Sequence, residues 1–266
     1  MDDNLLSLCY ILSSSILLIS SLIHSSELFS IKYSLNRLIY FSESETSETQ
    51  IINLYKPSIR NRFHITIVIL SLIELFLLYN QPLSLLYKIF FLCLTFLHLY
   101  SYAKRKIGRD GADQIRLLAF MSFSLGFLAS NDLVEILPLY FIGFQLLISY
   151  STSGLSKLFS THWRKGNVLG DILMTNSYGS KSFAKYLKSN PIVEKTFSYS
   201  AIFFMLFVPI SFFVPISEIF YLSLLGMFIF HISTAVLMGL NDFLFTIPMT
   251  YPAVYYLYFS FHQILL

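Results

Sequence analysis

Residues 219–239 read IFYLSLLGMFIFHISTAVLMG, with no Asp, Glu, Lys or Arg and only His231 able to carry charge near neutral pH. At a rise of about 1.5 Å per residue, about 20 such residues cross the hydrocarbon core of a bilayer as a helix. Further apolar runs lie near 5–23, 63–79, 83–102, 115–130, 133–155, 197–214 and 243–265. The composition agrees: 55% of the 266 residues are apolar, 12% are charged and the mean hydropathy is +0.66. Soluble domains carry about 25% charged residues, so this chain lacks the side chains to coat a water-soluble globule. The expected fold is all-α: one transmembrane domain over 1–266, a polytopic membrane helical bundle of about eight transmembrane helices with interfacial amphipathic helices beside it. The lipid bilayer, and by expectation the plasma membrane, is its surroundings. The net charge of +3 gives no reason to expect a nucleic-acid partner.

The amino terminus, Met1-Asp2-Asp3-Asn4, is acidic where a signal peptide is basic, and no small-residue cleavage site follows the first run. Run 5–23 is therefore expected as a retained helix, its serines bonding back to the preceding turn. Short links around Asn80-Gln81-Pro82, Asn131-Asp132 and 214–218 predict antiparallel helix pairs. Seventeen of the eighteen lysines and arginines fall in three connections, 24–62, 103–116 and 156–196, with Lys88 the exception. With eight helices these connections share one face, cytoplasmic by the positive-inside rule, and the other face has tight turns and both termini. Residues 27–41 carry Leu28, Ile31, Leu35, Leu38 and Ile39 at helical spacing, and 180–190 set Phe183, Tyr186 and Leu187 against Lys181, Lys185 and Lys188. Both read as helices lying in the membrane interface, and 42–50 (SESETSETQ) reads as a polar acidic linker. Cys9 and Cys93 have no CxxC or Cys/His neighbour and read as inert thiols, with no metal site indicated.

Ionisable groups inside a bilayer are costly and mark either function or pairing between helices. Here they are Glu74, Lys88, His98 and His231, with Asp242 near a helix end. No HExxH, GxSxG, P-loop or GxGxxG is present, so common hydrolase, zinc and nucleotide chemistries are not indicated. The most informative stretch is 145–166, QLLISYSTSGLSKLFSTHWRKG. Wound as a helix, it gathers Gln145, Ser149, Thr152, Ser153 and Ser156 into one polar wedge with Lys157 beside it and Tyr150 and Gly154 just beyond. A glycine there lets a flat ligand or another backbone approach. Trp163, the single tryptophan, suits the membrane interface. Lys157 reads in two ways, as a positive-inside anchor or as an amine at the edge of an apolar site that can act as a general base.

Ser153-Gly154-Leu155-Ser156-Lys157-Leu158, followed by Trp163 and Gly166, resembles the sGl.Kl…W..G signature of the HTTM membrane family, which includes the vitamin K-dependent gamma-carboxylases and bacterial relatives from toxin-maturation operons. Arg109-Asp110-Gly111-Ala112-Asp113-Gln114-Ile115 resembles the family's G.D.l segment. His231 and Leu244-Phe245-Thr246-Ile247-Pro248-Met249 resemble its late-helix histidine and LFSIGM-like run. The pattern extends over about residues 60–260, with the lysine segment its most specific part. The resemblance implies a helical bundle that admits a reduced quinone, a vitamin K-like hydroquinone, with Lys157 as the base that deprotonates it. Tyr150, Gly154, Trp163, His231 and Gln145 would line the substrate or cofactor site. Ser156 stands where the carboxylases have the first of two adjacent lysines. The carboxylases also have a large carboxy-terminal client-binding domain, whereas this sequence closes at Leu266 just past the last run, so carboxylation of a secreted glutamate protein is not expected. The carboxylases act on the exoplasmic side, whereas the charge rule puts Lys157 on the cytoplasmic side.

Two functions stand side by side. One is a gamma-carboxylase-like, quinone-using oxidoreductase or carboxylase that modifies a peptide or small protein encoded nearby. The other is a non-catalytic membrane accessory protein in peptide-toxin maturation, export or immunity. Transport is disfavoured because no repeated halves are visible and only the last run is broken, at Pro248 and Pro252.

Overall fold

The computed structural model describes residues 3–29, 57–104, 110–127, 129, 134–175 and 179–265. The elements are α1 (Asp3–Phe29), α2 (Pro57–Asn80), α3 (Leu85–Lys104), α4 (Gly111–Gly126), α5 (Ile136–Phe159), α6 (Thr161–Lys165), α7 (Val168–Met174), α8 (Lys181–Ser189), α9 (Pro191–Phe212), α10 (Ser217–Met238), α11 (Asn241–Thr246) and α12 (Thr250–Leu265). No strand occurs among the described residues. Six helices are long and apolar enough to cross a membrane: α1, α2, α3, α5, α9 and α10. The chain is an all-α, multi-pass integral membrane protein. Helices α4 and α12 hold 16 residues each, shorter than those six. The expected linker 42–50, most of the expected helix 27–41 and the turn at Asn131-Asp132 lie outside the described residues.

The chain divides into two compact units, one of Asp2–Leu139 with Phe245–Pro252 and one of Tyr140–Leu244 with Ala253–Leu266. In the first, α1 packs on α2 and α4, α2 on α3, and α3 on α4. The serine-rich sequence of α1 explains its central place. Ser13, Ser14, Ser15, Ser20, Ser21 and Ser25 are all buried, and small side chains let helices approach closely where lipid offers no competing hydrophobic drive. Ser15 satisfies its hydroxyl on the Ile11 carbonyl at 2.6 Å. Phe91 of α3 lies 5.2 Å from Phe120 and 5.8 Å from Phe123 of α4, ring centroid to centroid. Helix α4 starts on a reciprocal cap: Asp110 Oδ1 accepts from the Asp113 N–H and Asp113 Oδ2 from the Asp110 N–H, both at 3.1 Å, which satisfies two donors that a helix start leaves open.

In the second unit α9 and α10 pack on each other across the short link 213–216, pinned by Ser211 Oγ donating to Ser223 Oγ at 2.7 Å. Tyr258 of α12 stacks on Phe220 at 4.4 Å, and its hydroxyl donates to the Val214 carbonyl at 2.9 Å. The basic connection 156–196 is largely helical. Helix α8 buries Ala184 and Leu187 on Leu173 of α7 while Lys181, Lys185 and Lys188 stay exposed; of the apolar face expected for 180–190, Leu187 is buried, Phe183 half-buried and Tyr186 exposed. Lys188 Nζ pairs with Asp171 at 2.6 Å on the exposed side.

Candidate functional site

Helix α5 carries the segment that the sequence singles out. Gln145 Nε2 donates to Ser149 Oγ at 3.2 Å, and both residues are half-buried. Thr152 and Ser156 are exposed and donate back along the helix, to the Ile148 carbonyl at 2.8 Å and the Thr152 carbonyl at 2.6 Å. The inward side of α5 is instead formed by Leu146, Leu147, Tyr150 and Gly154, all buried. A Cβ on Gly154 would lie 2.6 Å from Leu206 Cδ2. The missing side chain admits Leu206 of α9, which occupies the space that a flat ligand would need there.

The Lys157 amine donates to Ser153 Oγ at 2.8 Å and lies 5.2 Å from the centre of the Trp163 ring. Both Lys157 and Trp163 are half-buried, and no carboxylate among the described residues pairs with this amine. The chain brings Trp163 back to Lys157 by ending α5 at Phe159 and starting the one-turn α6 at once. Gly166 then ends α6 at φ +76°, in the left-handed region that favours glycine, and a Cβ there would meet Lys195 Cγ at 2.6 Å. The Tyr199 hydroxyl donates to the Arg164 carbonyl at 2.8 Å and ties α6 to α9.

Tyr150 and His231 meet as buried partners, Tyr150 Oη to His231 Nε2 at 2.9 Å. The His231 ring stacks on Phe243 at 5.6 Å with an 11° interplanar angle. His231 is 4% exposed, and its Nδ1 has no hydrogen-bond partner. Tyr150 and Lys157 are seven residues apart, which places them on the same side of α5 about 10 Å apart by helical rise. Asp242 sits in the first turn of α11.

The first unit holds a polar cluster of which the sequence singled out only His98 as an intramembrane ionisable group. Arg116 and Asp113 of α4 are buried and paired, Nη2 to Oδ1 at 2.6 Å. His24 Nε2 of α1 approaches the same Asp113 oxygen at 3.5 Å. Arg116 Nη1 reaches Ser20 Oγ at 3.3 Å and Thr246 Oγ1 at 3.2 Å. Beside it His98 Nε2 meets Ser21 Oγ at 2.7 Å, and Ser21 Oγ meets Ser71 Oγ at 2.9 Å. His24, His98, Tyr102, Asp113 and Arg116 line a small cavity. The signal lay in the spacing: Ser20 and His24 are four apart, Asp113 and Arg116 three apart, so each pair shares a helix face. His24 and Asp113 are of the ligand types that hold divalent metals, but the Arg116 guanidinium already takes the carboxylate.

No family model, no curated protein and no solved structure matches this chain.

Proposed function

We propose that the protein is a gamma-carboxylase-like membrane enzyme of the HTTM class that uses a reduced quinone to modify a peptide partner, with Lys157 as its base. The observation that carries this reading is the setting of the Lys157 amine: half-buried, against the Trp163 ring, hydrogen-bonded to a hydroxyl and paired with no carboxylate among the described residues. An amine without a counter-ion is the kind that can take a proton from a bound acid. The donor set suits a hydroquinone ring, because His231 Nδ1 is a buried nitrogen without a hydrogen-bond partner and its ring is bonded to Tyr150, which shares a side of α5 with Lys157. When bound, the hydroquinone would supply two electrons to a co-substrate oxidant such as dioxygen and a proton to the Lys157 amine. Ser153 orients the amine, Tyr150 holds the His231 ring through Nε2, and Phe243 shields that ring. In this reading α4 and α12 complete eight crossings in the plasma membrane.

Mass spectrometry of a co-expressed neighbouring peptide tests the assignment. Wild type is expected to change the peptide's mass and to oxidise added menaquinol or vitamin K hydroquinone. Lys157→Arg keeps the charge, which an arginine never gives up, and is expected to abolish both. A Lys157→Arg protein that matures the peptide at the wild-type rate ends the role of this lysine as base.

A second reading, a non-catalytic accessory protein for peptide maturation, export or immunity, is favoured by two observations. Leu206 fills the space at Gly154, and the Thr152 and Ser156 hydroxyls are bonded to their own helix. That reading expects Lys157→Arg to be silent.

A further inference from the structure

Glu74 lies inside the transmembrane stretch Arg62–Asn80 of α2, about two-thirds of the way along it, and is 0% exposed. Neither of its carboxyl oxygens has a hydrogen-bond partner. No lysine, arginine or histidine pairs with it among the described residues. Two hydroxyls share its surroundings. Tyr10 of α1 and Tyr87 of α3 lie beside each other and within electrostatic reach of Glu74, are 1% and 0% exposed, and make no hydrogen bond of good geometry. Ser14 of α1, next to Tyr87, already donates to the Tyr10 carbonyl. The walls are aromatic. Phe123 of α4 stands 5.1 Å from Tyr10, and Phe91 and Phe127 each stand 5.8 Å from Tyr87. Among the described residues one other acidic group acts here: Glu135, within electrostatic reach of Tyr10, accepts from Ser7 Oγ at 3.1 Å.

A bare carboxylate in such a place costs several kcal/mol at least, because neither water nor a counter-charge replaces its lost hydration. Intramembrane carboxyl groups that persist mark ion paths, proton relays or ligand sites. Three buried polar groups from three helices, none with a hydrogen bond of good geometry, converging behind apolar walls, are more than one helix pairing needs. We propose that Glu74, with Tyr10 and Tyr87, forms an intramembrane proton-binding site in which the carboxyl group holds one exchangeable proton and the two phenols are its relay partners. The site is separate from Lys157 and does not depend on the quinone reading.

The test uses the full chain in lipid vesicles. Dicyclohexylcarbodiimide dissolves in the bilayer and reacts with carboxyl groups that carry a proton. At neutral pH its adduct is expected on the peptide containing Glu74 and is expected to be lost in Glu74→Gln. Infrared spectra are expected to show a carboxylic-acid carbonyl band at the same pH that vanishes in Glu74→Gln and shifts in Tyr10→Phe and Tyr87→Phe. Glutamine has the shape of the protonated acid, so the variant is expected to fold. Should it fail to fold, the band and the adduct in the wild type decide alone. Absence of the band at neutral pH overturns the proposal, as does a band unchanged by Glu74→Gln. Protection from the carbodiimide by sodium ions at constant pH also overturns it, because the occupant is then a metal cation.

Discussion

Asp113 and Arg116 show how a charged residue can hide in an apolar protein. Each is nearly fully buried, 5% and 2% exposed, and each cancels the other at 2.6 Å. Removing one partner leaves the other as an uncompensated buried charge, which costs about 3–5 kcal/mol. Asp113→Ala is therefore expected to lower the thermal unfolding midpoint in detergent sharply, and Asp113→Ala with Arg116→Met to recover most of the loss. A double variant as unstable as the single one would show that the two residues do not act as a pair. The sequence made Lys157, Gln145 and His231 visible as polar residues inside or at the end of an apolar run. His24, Asp113 and Arg116 escaped for a related reason. α1 continues to Phe29 and α4 begins at Gly111, so His24 and Asp113, read in the connections 24–62 and 103–116, are in fact helical and buried, as is Arg116, where the connection 103–116 overlaps the run 115–130. Their cost is offset by partners that sit far away in sequence, and hydropathy along the chain carries no trace of such partners.

Helices were legible wherever the apolar run was long. α10 covers Ser217–Met238 against an expected 219–239, and α9 covers Pro191–Phe212 against 197–214. The amphipathic α8 was legible too, because its lysines and apolar residues alternate at helical period. α6 and α7, five and seven residues long, were not, since they are too short for a periodic pattern and depend on packing, α6 on α9 and α7 on α8 and α9. The role of Gly154 was ambiguous in the sequence between ligand approach and helix approach, and the position of Leu206 Cδ2 at 2.6 Å from a would-be Cβ favours the second. Gly154→Ala is expected to destabilise the α5–α9 contact by about 1–3 kcal/mol, the usual cost of overpacking. The flexible leucine tip and the better helix propensity of alanine pull toward the low end. Leu206→Ala in the Gly154→Ala background should relieve the clash. If Gly154→Ala left the melting midpoint unchanged but abolished quinol turnover, the glycine would instead belong to the ligand site.

At the scale of the whole molecule the open quantity is the number of crossings, and charge decides between the alternatives. Helix α4 has 16 residues, a rise of about 24 Å against a hydrocarbon core of about 30 Å. Bilayer thinning at a short helix costs only fractions of a kcal/mol per Å, so its length does not forbid a crossing. Its charged residues, Asp113 and Arg116, neutralise each other within the helix. If α4 does not cross, the connections before and after it share one face, and every later connection changes face. The seven basic residues of 156–196 then oppose the ten of 24–62 and 103–116. If it does cross, all seventeen share one side, which is the distribution that the positive-inside rule favours. Reporter fusions after Gln81 and after Arg164 separate the two. Eight crossings place these residues on opposite sides of the membrane, whereas omission of α4 places them on the same side. Opposite signals are expected. Equal signals would remove α4 from the membrane, split the basic connections between the two faces, and put Lys157 on the side away from the 24–62 loop.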